Sequence, residues 1–212
     1  MLSVSTNKQP QTYHHGDLRP ALLAAAAELL AEGGAATISL REVARRAGVS
    51  HNAPYRHFAD RDGLLAALAE EGFGELARRM DGEGGGLAAL GQCYVRFALE
   101  QPGHFALMFG AALDKARHPG LQQAATALHE RLALAVRETA PGQDPQVATL
   151  AAWSLVHGLA QLLQERQLSE AMRAGLSAAE LSERVTRLFV AGLQGDSRAA
   201  PPSLCPSPSG RR

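Results

Sequence analysis

The chain has 212 residues, 46% hydrophobic, 20% charged and 5% aromatic, with 21 basic side chains against 21 acidic ones. That is enough for one good core or two small ones, and too apolar for wholesale disorder. A net charge of zero excludes a generic polyanion binder, so any basic face must be local and sought by position.

In chain order, residues 1–13 are polar and read as a flexible arm without the apolar core of a secretory signal. Leu and Ala then recur at helical spacing throughout, and no segment sustains period-two alternation, so the expected fold is all-α with about nine helices. Asp17 is placed to cap a first helix, with Pro20 in its first turn and Gly33-Gly34 at its end. Ser39-Leu40-Arg41-Glu42 matches a capping box, flanked by Ile38 and Val43 as a hydrophobic staple. This second helix should stop at Gly48, in a left-handed turn. Ser50 would cap a third short helix to about Phe58, and Asp60 a long fourth one through Leu64, Leu68, Phe73 and Met80. DGEGGG at 81–86 is a break. Further helices are expected at 87–101, 103–113, 120–139, 145–166 and 178–194. Residues 196–212, rich in Pro, Ser and Arg, read as a disordered tail.

Other classes find little support. Cys93 and Cys205 have no partners at metal-ligand spacing, so neither a disulfide scaffold nor a metal site is suggested. The longest apolar stretch, 150–163, is too short and too polar to span a bilayer, and a soluble cytoplasmic protein without membrane contact is expected. No nucleophile–base pair appears, and DGEGGG lacks the Lys-Ser/Thr of a phosphate loop, so the chain does not read as an enzyme and no cofactor is implied.

Residues 39–58 read instead as helix, tight turn, helix. Ala44 and Ala47 are small enough for close helix approach, and Leu40, Val43 and Val49 can anchor a shared core. Such a hairpin can set its second helix in a DNA major groove. Between Ser39 and Arg61 lie five Arg (41, 45, 46, 56 and 61) against Glu42 and Asp60, a local excess of three positive charges in a neutral chain. His51 and His57 add polar donors. Charge concentrated this way suits binding to duplex DNA.

The segment SLREVARRAGVSHNAPYRHFADRDGLLAALAEEGF resembles the DNA-binding domain of the TetR/AcrR family of bacterial transcriptional regulators. The preceding HHGDLRPALLAAAAELLAEGGAATI is similar to that family's first helix, so the match covers roughly 14–73. Trp153-Ser154-Leu155-Val156-His157-Gly158 is similar to the WHG-type ligand-binding domain of one branch. The resemblance implies domains at 14–60 (helix-turn-helix) and 61–195 (ligand binding and dimerisation). Ser50, His51 and Asn52 would approach base edges, and Tyr55, Arg56, His57 and Arg61 would contact phosphates. Thr37, Ser39, Arg45 and Arg46 would make flanking backbone contacts. Pro54 departs from the commonest family pattern. With Ser50 as cap it removes the first intrahelical bond, so the helix either starts nearer Asn52 or has an irregular first turn.

One hairpin offers few contacts, so a homodimer on a palindromic operator is expected. The helices near 145–166 and 178–194 would form the dimer, through Leu150, Trp153, Leu159, Leu162, Leu163, Leu181, Val185, Leu188 and Phe189. Tyr94, Phe97, Phe105, Met108, Phe109, Trp153 and His157 would line a site for a small hydrophobic effector. The expected function is therefore a ligand-responsive repressor. The alternative is a helical interaction protein whose DNA-binding hairpin is degenerate.

Overall fold

The computed structural model describes residues 18–195 except 85 and 112. The arm at 1–13, the Asp17 cap and the tail at 196–212 lie outside the described residues. Within them there are no strands and nine α-helices: α1 (Leu18–Gly33), α2 (Leu40–Arg46), α3 (Arg61–Glu83), α4 (Gly86–Glu100), α5 (Pro102–Phe109), α6 (Pro119–Thr139), α7 (Pro145–Gln164), α8 (Glu170–Arg173) and α9 (Ala178–Gly195). Short 3-10 turns occupy Ala35–Thr37, Pro54–Arg56 and Lys115–Arg117.

The number of helices is the expected one, but the membership differs in two places. The third expected helix, 50–58, is not α-helical. An α-helix capped by Ser50 would open with an N–H from residue 54 to the Ser50 carbonyl, and Pro54 has no N–H. That carbonyl accepts from the Ala53 N–H instead, at 2.9 Å, and only Pro54–Arg56 closes into a 3-10 turn. The added helix is α8, four residues capped by the Ser169 hydroxyl, too short to show a period in the sequence. The helix expected at 103–113 ends early, at Phe109.

Two compact units divide the chain, one from 18–72 with Gly103–Gln123, the other from Phe73–Pro102 with 124–195. The division falls inside α3, one uninterrupted 23-residue helix whose early Leu64, Leu65 and Leu68 are buried.

In the first unit, Ser39 caps α2 as expected, its hydroxyl accepting from the Glu42 N–H at 3.1 Å. Ile38 and Val43, the two members of the staple, are both buried. At the other end Gly48 has φ 69°, and the Val49 N–H to Ala44 carbonyl and Gly48 N–H to Arg45 carbonyl bonds form a Schellman motif. A Cβ at Gly48 would force an unfavourable left-handed conformation on an L side chain.

In the second unit α4, α7 and α9 pack against one another. Gly91 lets α4 come close: a Cβ there would lie 2.8 Å from the Thr186 methyl and 3.1 Å from Val156. Leu87, Val136, Ala148 and Ala152 form a core against which Phe189, Val190 and Leu193 pack. Helix α7 is 20 residues long and, by length and composition alone, apolar enough to cross a membrane, a test that a packed core helix also passes. Its Ala148, Ala152, Val156, Leu159 and Ala160 are buried, the pattern of a helix with one packed face.

Candidate nucleic-acid interface

The segment from Ser50 to His57 is a surface of side chains set around two anchors. Pro54 and Phe58 are buried, while Ser50, His51, Asn52, Tyr55, Arg56 and His57 are exposed. Phe58 packs into the unit with the Arg19 guanidinium 5.5 Å from its ring centroid. Tyr55 is 52% exposed, an aromatic side chain held outward by the turn that follows Pro54. Its hydroxyl and the donors of Arg56 and His57 are of the kind that suits phosphate oxygens.

The flanking residues are more committed. The Thr37 hydroxyl donates to the Gly34 carbonyl at 2.9 Å and the Leu29 carbonyl at 3.2 Å, closing the end of α1. A hydroxyl has one hydrogen, so Thr37 must leave those carbonyls before it can donate to a phosphate. Ser39 differs, since its oxygen accepts within the cap and its hydrogen is left to donate outward.

Arg45 pairs with Glu42, its Nε–H 3.0 Å from the carboxylate. The cost is the second half of the capping box: Glu42 turns to Arg45 and not back to the Ser39 N–H. The hydrogen bond from Arg45 holds the Glu42 carboxyl below its ordinary pKa of 4.5. Arg46 is bidentate to Glu32 at 2.7 and 2.8 Å and also reaches Glu28 at 3.2 Å. Those bonds raise the Arg46 pKa and tie α2 to α1. Arg61 bridges two backbone carbonyls, its Nε–H donating to Ile38 at 2.8 Å and its Nη2 to Ala35 at 2.6 Å. Of the eleven residues expected at DNA, the structure brings Ser50, His51, Asn52, Tyr55, Arg56 and His57 onto one exposed segment. It gives Thr37, Arg45, Arg46 and Arg61 internal partners.

The residues expected around an effector fall in both units. In the second, Tyr94 of α4 meets Trp153 and His157 of α7. The Tyr94 hydroxyl lies 2.8 Å from His157 Nδ1, and Trp153 Nε1–H donates to that hydroxyl at 3.4 Å. The indole N–H can only donate, while the tautomer of His157 sets which of the imidazole and the phenol donates to the other. Burial raises the Tyr94 pKa and lowers that of His157 from 6.5. Phe97 is buried on α4 with the Arg79 guanidinium 5.4 Å from its ring centroid. Phe105, Met108 and Phe109 lie on α5 in the first unit, where the Phe105 and Phe109 rings meet tilted at 51°, with centroids 4.9 Å apart.

Two features escaped sequence reading. The polar seam of Gln92 and Thr186, bonded at 3.3 Å beside the buried Ser182, carries no motif. Arg19 sits on Phe58 across 39 positions of chain, which no local pattern reports.

Residues 22–68 match the family model of bacterial regulatory proteins of the TetR family, and residues 87–189 match the Tetracyclin repressor-like C-terminal domain. A solved protein of unknown function from Rhodococcus sp. RHA1 is 35% identical, with a TM-score of 0.74 over 87% of this chain and 100% of that one. A TetR/AcrR regulator from Thermobifida fusca is 25% identical, with a TM-score of 0.60 over 84% of this chain and 98% of its own. An HTH-type transcriptional repressor of Mycobacterium tuberculosis is 32% identical over 79 residues, which are 37% of this chain and 42% of the repressor's length. With a hairpin of this geometry and matches at both ends of the fold, the chain belongs to the TetR family of DNA-binding transcriptional regulators.

Proposed function

We propose that the protein is a homodimeric repressor that binds a palindromic operator and is released by a small hydrophobic effector. The observation that carries the DNA reading is the segment 50–57, where buried Pro54 and Phe58 hold Tyr55, Arg56 and His57 outward. Tyr55, Arg56 and His57 contact phosphates, while Ser50, His51 and Asn52 meet base edges, where Asn52 can pair bidentately with adenine. Ser39 adds a flanking contact.

The dimer reading is supported by an outward stripe on α7 and another on α9. Val147, Leu150, Ser154, Gly158 and Leu162 share one face of α7, and Leu181, Leu188 and Gly192 one face of α9. Leu150 is 59% and Leu188 76% exposed in the single chain. A Cβ at Gly158 or Gly192 would meet nothing within 4 Å, so a second pair of helices can approach closely there. Four helices then bury what one chain leaves bare. The effector is read at the Tyr94, Trp153 and His157 cluster of the second unit, with buried Phe97 on the same helix as Tyr94. Its binding displaces α3 and changes the spacing of the two hairpins, through different affinity for the two arrangements. The setting is the cytoplasm, where the operator is.

A second reading has one observation in its favour: only Pro54–Arg56 of the recognition segment is helical. On that reading the hairpin no longer reads a sequence and the molecule is a helical interaction protein. A gel-shift titration against the DNA upstream of the protein's own gene separates the two. A repressor gives salt-sensitive binding that depends on a palindrome, and a degenerate hairpin gives equally weak binding to every duplex.

A further inference from the structure

We propose that Arg61 is a positioning residue that ties the first turn of α3 to the backbone that launches α2, and that its charge is not directed at a DNA phosphate. The inference rests on the DNA-binding reading above and reassigns a cation that the family pattern puts on the phosphate backbone.

The geometry is that of a two-pronged tie. Nε and Nη2 reach the carbonyls of Ile38 and Ala35, three residues apart, and Nη1 lies 4.0 Å from Asp62. The Ala35 carbonyl also takes the Ile38 N–H at 3.2 Å, closing the 3-10 turn. The Ile38 carbonyl lies just outside the Ser39 cap, and the Glu42 N–H of the first helical turn goes to the Ser39 hydroxyl. Arg61 therefore satisfies backbone that the helix does not, across 23 and 26 positions of chain. A planar guanidinium fits two such acceptors at once, whereas a lysine ammonium is a single compact charge on a flexible stem. Turning Arg61 toward a phosphate would release both carbonyls.

The consequence is mechanical. Ile38 is buried and adjoins the cap of α2, so a rotation of the first turn of α3 drags the start of α2 with it. Arg61 is the side chain through which α3 sets the attitude of the hairpin.

The test is DNA binding by the full chain across a salt series, with wild type, Arg61→Gln and Arg61→Lys, on the upstream duplex and a scrambled one. Amide hydrogen exchange without DNA is measured alongside. The tie predicts that Arg61→Gln weakens specific binding about tenfold at every salt concentration, the loss of one charged hydrogen bond per subunit or more. The slope of log affinity against log salt stays at the wild-type value, and Lys does not restore binding. Exchange at Ile38, Glu42 and Val43 speeds up about tenfold while α7 and α9 are unchanged. A slope shallower by about 0.9 per subunit, full rescue by Lys, or unchanged exchange at those amides overturns the proposal. Should Arg61→Gln fail to fold, Arg61→Lys, which keeps charge and helix propensity, decides the matter by the same measurements. Should wild type prefer no duplex, the DNA reading fails, and the exchange data alone still decide whether Arg61 holds the start of α2.

Discussion

The two units of the molecule distribute polarity in opposite senses. Around α2, the apolar residues Ile38, Leu40, Val43 and Phe58 are inside, and Arg45, Arg46 and Arg61 on the outside are held by the unit's own carboxylates and carbonyls. Around α4, α7 and α9, the buried Tyr94 hydroxyl gathers the half-buried His157 imidazole and the partly exposed Trp153 indole, while Leu150 and Leu188 stand bare. Exposed leucines at helical spacing are a deficit that another surface can fill. Outward donors around a buried proline and phenylalanine need no second protein, only an acceptor. The difference teaches that one unit is finished as a surface and the other is not.

The largest expected effect comes from breaking the unfinished surface. Leu188→Asp should convert the proposed dimer to monomer. Burying one leucine contributes about 2 kcal/mol, two-fold symmetry doubles the loss, and an unpaired buried carboxylate adds to it. Specific DNA affinity should then fall by more than about a hundredfold, since each monomer holds one half-site. Sedimentation at micromolar concentration checks the first statement and operator titration the second. A Leu188→Asp protein that remains dimeric removes this face from the interface.

Next in size is the finished surface. Arg56→Ala should weaken binding to all duplexes alike by about tenfold and make the salt slope shallower by about 0.9 per subunit, as for a lost phosphate contact. Arg46→Ala should leave the slope unchanged, because Glu32 and Glu28 already hold that guanidinium. Equal slope changes in the two variants would contradict the assignment of one arginine outward and the other to α1.

How much of this can be read from sequence depends on the range of the forces involved. The start and stop of α2 are written within a few residues, in Ser39, Ile38, Val43 and Gly48, and they are legible. So is the exposed segment, apart from its helix type, which Pro54 leaves open between two outcomes. The Ser-x-x-Glu pattern shows the limit. At 177–180 the box closes both ways, with Glu180 accepting from the Ser177 N–H at 2.9 Å and Ser177 accepting from the Glu180 N–H at 3.2 Å. At 39–42 the same letters give half a box, because Arg45 lies one turn on and takes the carboxylate. The partners of Arg46 and Arg61 lie 14 to 26 positions away, on other elements, and no local spacing reports them. An excess of charge can be counted in a sequence, but which charges remain outward depends on packing.

The smallest effects test the polar groups turned inward. Tyr94→Phe removes the hydroxyl that Trp153 Nε1 and the half-buried His157 Nδ1 share, a loss of about 1–3 kcal/mol. Trp153 is the chain's single tryptophan, so its emission reports the change directly. The same cluster gives the second unit a pH dependence. Burial holds the His157 pKa below 6.5, the ordinary value it regains on unfolding. Below pH 6.5 the unfolded chain therefore binds a proton that the folded chain resists. The stability tied to this group is complete above pH 6.5, and it declines as the pH falls from there toward the lower folded value. Glu42 and Glu180 act in a separate window, because their carboxyls, held below 4.5 by Arg45 and by Ser177, lose their contribution only as the pH drops beneath 4.5. Denaturant titrations at pH 7.5 and 5.5 should show a loss in wild type that His157→Gln reduces, and the indole emission should shift over the same interval. Equal losses in both proteins would mean that the half-buried imidazole is not the group being charged as the pH falls.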